Sequence, residues 1–391
     1  MKESKVYKIE PQFRIQNTKA GQETKGFIEK FWVNHPQLGK SLVKLDRDYG
    51  RNWTEKVAYE IGKSMELPIA RYELAVLSSE FRSEEFSKNS SSIGIITPNY
   101  KEKDIFYQPS EDVIFETLGR YPYNFNEETK FIIDEKIGTP SNYKMPEKIN
   151  DGADLWTGYI IFDALIANKD RHGKNWEIIS DKQGNKNLAP LFDSGMSLGM
   201  TLGGRLEKEA DLTPEKHMTT ETSYFGEYHR ELVEKVIKLR PVASAVWLNK
   251  VSRITPTKIE KIIDSLPHSH INDAERKFAK ELVKYNRRDY LELGKKNLYD
   301  FYSQKVSSKG IKRTEKIAMK ALGNRMDKDI VIAMMKENDG EYRKLVNSGK
   351  EKLAERIIIN KAQTNLKIAR KEKRAQKTQD QGKSHKEDFS R

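Results

Sequence analysis

The stretch from Asp151 to Ala167 constrains this chain more than any other. Leu155, Trp156, Tyr159, Ile160, Phe162 and Ile166 recur at helical spacing and leave almost no polar face, so the segment reads as a helix running through a core. Such a helix needs layers around it. A chain of 391 residues, 36% hydrophobic and holding 17 Tyr, 15 Phe and 5 Trp, has material for two or three folding units. The helix empties directly into Asn168-Lys-Asp-Arg-His-Gly-Lys-Asn175, which is too rich in glycine and charge to continue it. Two short strands are expected next, Trp176 to Ile179 and Leu188 to Phe192, joined by the breaker-rich turn Ser180 to Asn185. That hairpin should bring Asn175 and the strand-ending Asp193 to one end, within reach of one cation.

Asp170, Asn175 and Asp193 suit phosphoryl transfer. The reaction needs an acidic or water-positioning group at the acceptor hydroxyl and oxygen ligands that hold magnesium against nucleotide phosphates, because positioning and charge neutralisation do most of the work. His172 admits a rival, a metal site with Asp170 and Asp193 in a metal-dependent phosphoester hydrolase. With no second histidine before His217, a structural histidine that orders the loop is favoured over a ligand. Arg171 reads as a brace for the loop, and Lys174 fits a phosphate contact or a solvent-facing position equally well.

Upstream, Val6 to Gln16 and Gly26 to Val33 read as strands around Asn17-Thr-Lys-Ala-Gly21-Gln-Glu-Thr-Lys25-Gly26. A glycine loop between strands can lay backbone N–H groups over phosphates, but spacing alone favours an ordinary hairpin, and no Walker G-K-[ST] follows. Gly39 to Leu45 is a third strand. Its Lys44 is either an edge residue whose stem covers the sheet or a lysine reaching phosphates. Val57, Ala58, Ile61 and Met65 then mark a helix that stops before Pro68, flanked by Glu55 and Glu60, either of which could pair with Lys44. Glu55 has a plainer alternative, a capping box with Asn52. Residues 69 to 118 read as further strands interrupted by a mobile polar loop, Ser83 to Ser92.

Strand, glycine loop, strand, lysine strand, glutamate helix, core helix, D-x-x-x-x-N, hairpin and Asp is the order in which protein-kinase-like folds present their parts. The words Asn168-Lys-Asp170-Arg171-His172-Gly-Lys-Asn175 and Pro190-Leu-Phe192-Asp193 resemble the HipA-like serine/threonine kinases. Ala20-Gly21-Gln-Glu-Thr-Lys25 is similar to that family's phosphate loop, with the Gln–Lys spacing shifted by one residue. The likeness spans roughly residues 10 to 295. It implies an α+β bilobal kinase-like fold, with a β-rich N-lobe over 1–118, a helical C-lobe over 119–300 and an appended basic helical region over 301–391. It also implies ATP and Mg2+ as cofactors, with Asp170 the catalytic base, Asn175 and Asp193 the magnesium ligands, and Lys44, Gly21 and Lys25 at the phosphates. Glu55 becomes the helix partner of Lys44 and Thr18 the nearest candidate for autophosphorylation. The family often serves as a bacterial toxin acting on translation proteins, so the implied partners are a protein with a Ser or Thr acceptor and a separate antitoxin. The chain reads as the short, kinase-only form of the family.

Charge is unevenly placed. Of 71 Lys+Arg and 58 Asp+Glu, 24 and 12 fall in residues 303–391, which therefore carry +12 of the net +13. That segment has only two aromatics, Tyr342 and Phe389, so a domain boundary is expected near residues 296 to 310. A basic handle for tRNA or a nucleoprotein is one reading of it, and a solubilising helix with a disordered tail is the other. The strongest form of the first makes the whole chain a nucleic-acid-binding protein on a weakly active kinase fold. No cysteine is present, so thiolate chemistry is excluded. No run approaches the length of a membrane span, and a cytoplasmic location without membrane contact is expected.

Overall fold

The computed structural model describes residues 3–15, 30–45, 51–81, 91–101, 105–208, 212–220, 222 and 226–306. The N-terminal part is a five-stranded sheet built from β1 (Val6–Ile9), β2 (Lys30–His35), β3 (Gly39–Leu45), β4 (Glu73–Leu77) and β5 (Ile93–Pro98), in the order β1-β4-β5-β3-β2. Only β1 with β4 is parallel; the other pairs are antiparallel. One face buries Tyr7, Ile9, Phe31, Val33, Val43, Leu45, Ala75, Leu77 and Ile96 together with Phe81, the alternation that a half-buried sheet requires. Helix α1 (Arg51–Ser64) packs on β4 and β5 through its expected apolar stripe, with Trp53, Val57, Ala58 and Ile61 buried along it and Met65 just beyond its end.

The first strand differs from expectation. It ends at Ile9 rather than running to Gln16, because Pro11 cannot donate to a ladder and opens a short 3-10 turn, Pro11–Phe13. Among the described residues the expected hairpin shows as an Arg14–Val33 bridge and an Ile15 N–H donated to the Trp32 carbonyl at 3.0 Å. The glycine loop with Thr18, Gly21 and Lys25, and residues 83–90 of the polar loop, lie outside the described residues.

The second part begins with β6 (Phe106–Pro109), which forms an antiparallel three-stranded sheet with β7 (Glu177–Ser180) and β8 (Lys186–Leu188). Ser110–Leu118, expected as strand, is helix α2. Its start carries Glu111 and Asp112, which suit the positive end of a helix dipole, and it closes on Gly119 at φ +69°. Helix α3 (Phe125–Asp134) follows, capped by the Asn124 side chain. Helix α4 (Gly152–Ile166) is the predicted core helix, and every one of its residues is buried. Asp151 caps its start by accepting from Asp154 N–H. At Gly158 the α4 backbone lies directly on the Trp247 ring. Helices α5 (Pro214–Met218), α6 (His229–Leu239), α7 (Pro241–Arg253), α8 (Pro256–Asp264) and α9 (Asp273–Val306) complete this part.

The chain divides into two compact units, residues 1–291 and 292–391, so the division falls a few residues before the compositional boundary. Beyond Val306 the basic segment lies outside the described residues. Among the described residues no helix is long and apolar enough to cross a membrane.

Candidate active site

Helix α4 stops at Ala167, which is left-handed at φ +53°, and the chain turns into the site. The turn is anchored on Asp163, the one carboxylate in the middle of an otherwise apolar face. Asn168 donates its backbone N–H to the Asp163 carbonyl and its side-chain amide to Asp163 Oδ1, both at 2.8 Å. Arg171 pairs with the same carboxylate, Nε to Oδ2 at 2.9 Å and Nη2 to Oδ1 at 3.1 Å. A buried charge is tolerated when paired and fully hydrogen-bonded, and Arg171, 2% exposed, is so placed.

The other side of that guanidinium organises the site. Its Nη1 donates to the carbonyls of Asn175 and of Phe192, the latter at 2.7 Å, and Nη2 reaches Ser194 Oγ at 3.4 Å. One side chain thus holds the carbonyls of Asn175 and Phe192 and the Ser194 hydroxyl, the last two on either side of Asp193. Arg171 braces the loop as expected, and the hairpin ends come together through it. The second strand lies earlier than expected, at Lys186–Leu188 instead of Leu188 to Phe192, and ends before Pro190, yet Leu191 still bridges to Ile69.

Asn175 donates its amide to Asp170 twice, to the carbonyl at 2.6 Å and to Oδ2 at 3.2 Å, which leaves its Oδ1 as an acceptor. His172 is half-exposed. Its Nδ1 accepts from Lys174 N–H at 3.2 Å and its Nε2 stands 3.7 Å from Asp170 Oδ1. It orders the loop on one side and faces the carboxylate on the other. Lys174 pairs with Glu111 at 3.2 Å, at the start of α2. There Ser110 Oγ donates to the Gly173 carbonyl at 2.8 Å, and Gly173 sits so close that a Cβ would stand 2.7 Å from Glu111 Cβ.

From the sheet side, Lys44 Nζ donates to Glu55 Oε1 at 3.1 Å and to Asp193 Oδ1 at 3.4 Å. Glu60 instead takes Lys56. The capping alternative for Glu55 does not fit, since α1 begins at Arg51 and the second Glu55 oxygen accepts from Ser194 N–H at 3.1 Å. Thr54 Oγ1 donates to the Gly195 carbonyl at 2.9 Å, tying α1 again to the same segment. Asp193 has φ +53°, a conformation that aspartate tolerates better than most residues, and its N–H donates to Tyr72 OH at 3.3 Å.

Charge follows from this geometry. Burial opposes the Lys44 ammonium, but the carboxylates of Asp193 and Glu55 outweigh it and hold its pKa well above the ordinary value. Lys44 foremost, aided by Lys30 and Arg171, pulls Asp193 down to about 2 against the opposing effect of burial. Burial, with the Asp193 charge nearby, shifts Glu55 upward. Of the two, Asp193 is the carboxylate whose charge its surroundings favour, and its side chain remains 38% exposed. An ionised carboxylate and a free amide oxygen are the hard donors that magnesium takes, so Asp193 and Asn175 fit that metal.

Sequence reasoning missed Asp163, Tyr72 and Thr54. Asp163 was detectable, because a charge near the end of an otherwise apolar core helix, beyond its capped first turn, demands a partner. The other two carry no sequence signal: Thr54 meets a backbone carbonyl of the site, and Tyr72 accepts from a backbone N–H while its ring lies 5.3 Å from Lys44 Nζ.

No family model and no curated protein matches the chain. Among solved structures, the crystal structure of the Helicobacter pylori proinflammatory kinase CtkA matches with a TM-score of 0.55 at 15% identity, over 75% of this chain and 98% of that one. The fold is kinase-like. Its β-sheet N-terminal part and helical remainder are the two halves expected of such a fold. A looser likeness, TM-score 0.41 at 12% identity over 72% of this chain and 68% of the other, links it to Shewanella oneidensis HipA in complex with HipB and operator DNA.

Proposed function

We propose that the chain is an ATP- and magnesium-dependent protein serine/threonine kinase of the HipA-like group. One observation carries the reading: Lys44 joins the Glu55 and Asp193 carboxylates while Arg171 ties the Asp170–Asn175 loop to the Phe192 carbonyl and the Ser194 hydroxyl flanking Asp193. A metal hydrolase would leave the Lys44–Glu55 pair without a task.

In this reading Asp170 accepts the proton of a Ser or Thr hydroxyl as its oxygen bonds to the γ-phosphorus of ATP. The bond from that phosphorus to the β–γ bridging oxygen breaks, and ADP leaves. Asn175 holds the Asp170 carboxylate through the 3.2 Å hydrogen bond. Lys44 carries charge to the phosphates and Glu55 aims it. Asn175 and Asp193 would hold Mg2+, which supplies neutralisation of phosphate charge when bound.

The sequence resemblance supports the finer reading of a toxin-type kinase whose protein substrate belongs to translation and whose antitoxin is a separate polypeptide. Charge alone supports a contact of segment 303–391 with an acidic partner such as tRNA or a nucleoprotein. The test is incubation with labelled ATP, alone and with cell lysate, followed by mass spectrometry. Asp170→Asn and Asp193→Asn should each abolish labelling, and unchanged labelling in both sinks the proposal.

A further inference from the structure

Lys30 opens β2 and stands directly opposite Lys44 of β3 in the antiparallel register. Opposed residues share a face of the sheet and bring their Cβ atoms to about 4.5–5.5 Å, so both stems leave the sheet toward the same side. There the Lys30 ammonium feels Lys44 as a repulsive neighbour and Asp193 and Glu55 as attractive ones. The two lysines differ in how they are matched. Lys44 holds both carboxylates within ion-pair distance, whereas Lys30 forms no ion pair among the described residues.

Like charges directly opposed across two strands are unfavourable, and a half-buried ammonium with no carboxylate at ion-pair distance among the described residues adds to the cost. Burial and Lys44 accordingly shift Lys30 toward its neutral form. The arrangement makes physical sense when an anion with several charges lies in front of both lysines. We infer that Lys30 is a second phosphate-binding cation of the nucleotide site, acting beside Lys44. This rests on the kinase reading above. The plainer alternative is a lysine whose methylene stem covers the sheet, and replacement by methionine separates the two, since it keeps the stem and removes the charge.

The experiment is calorimetric titration of ATP and of adenosine into wild type, Lys30→Met and Lys30→Arg, with thermal melts of each without nucleotide. Loss of one charge-assisted phosphate contact should weaken ATP binding on the order of tenfold in Lys30→Met, leave adenosine binding unchanged, and be recovered in Lys30→Arg. Without nucleotide the Met variant should melt no lower than wild type, because its repulsion with Lys44 is gone. Equal ATP affinity in wild type and Lys30→Met overturns the inference and leaves the kinase reading standing. A parallel loss for adenosine, or a lowered melt, makes Lys30 structural. Failure of wild type to bind ATP removes the kinase reading and the inference with it.

Discussion

Arg171→Lys keeps the charge and discards the fork. Arginine makes five contacts: two with Asp163, one each with the carbonyls of Asn175 and Phe192, and one with Ser194 Oγ. A lysine can hold Asp163 but cannot also reach both carbonyls, since its three donors sit on a single atom. Two charge-assisted bonds at about 1.5 kcal/mol each are lost, so the destabilisation is on the order of 3 kcal/mol. At roughly 2–4 °C per kcal/mol for a large domain, the melting temperature should fall by about 6–12 °C. Activity should fall further than stability explains. With the backbone at Asn175 and Asp193 released, displacements near 1 Å cost on the order of a hundredfold in rate. The assay pairs a thermal melt with kcat and KM on folded protein at low temperature. A variant that melts within a degree of wild type refutes the energetic argument. One that melts low but keeps its kcat refutes the claim that Arg171 positions the site.

Two further perturbations test the packing behind it. Burial lifts the Glu128 carboxyl from its ordinary value to about 8, so the folded state binds a proton that the unfolded state releases near 4.5. The associated stability is complete below that lower value and is lost as pH rises toward 8, at up to about 1.4 kcal/mol per pH unit. Glu128→Gln should therefore gain on wild type in urea midpoint between pH 5 and pH 8, and parallel pH profiles would refute the burial effect. Gly158→Ala would place a Cβ 2.5 Å from the Trp247 ring, whose Nε1 is held by the Asp154 carbonyl at 2.8 Å. It should cost about 1–3 kcal/mol through overpacking although alanine is the better helix former by up to about 1 kcal/mol. A raised melting temperature would show that the ring can move.

The core helix and the site's words were legible because each carries a strong local signal. The α4 segment is apolar on every face, and D-x-x-x-x-N is contiguous. The departures have physical causes of the same local kind. Pro11 ended a strand whose β-rich composition continued past it. At Ser110–Leu118 the acidic first turn and closing glycine outweighed the residues that read as strand. The choice between Glu55 and Glu60 was invisible to periodicity, since both flank one stripe and only the distant Ser194 N–H and Lys44 distinguish them. Pairings across 139 or 149 residues of sequence are what a one-dimensional pattern cannot hold.

The Phe192–Gly195 stretch is bonded in two directions. Its backbone meets Glu55, Thr54 and Tyr72 on the sheet side and Arg171 on the helical side. Mechanically, the guanidinium is a pivot set between the two halves of the site. A rocking of the sheet would turn Asp193 about that point instead of carrying it away from Asp170. In the proposed kinase, opening for nucleotide exchange would then need only rotation, with Asp193 staying near Asp170 throughout.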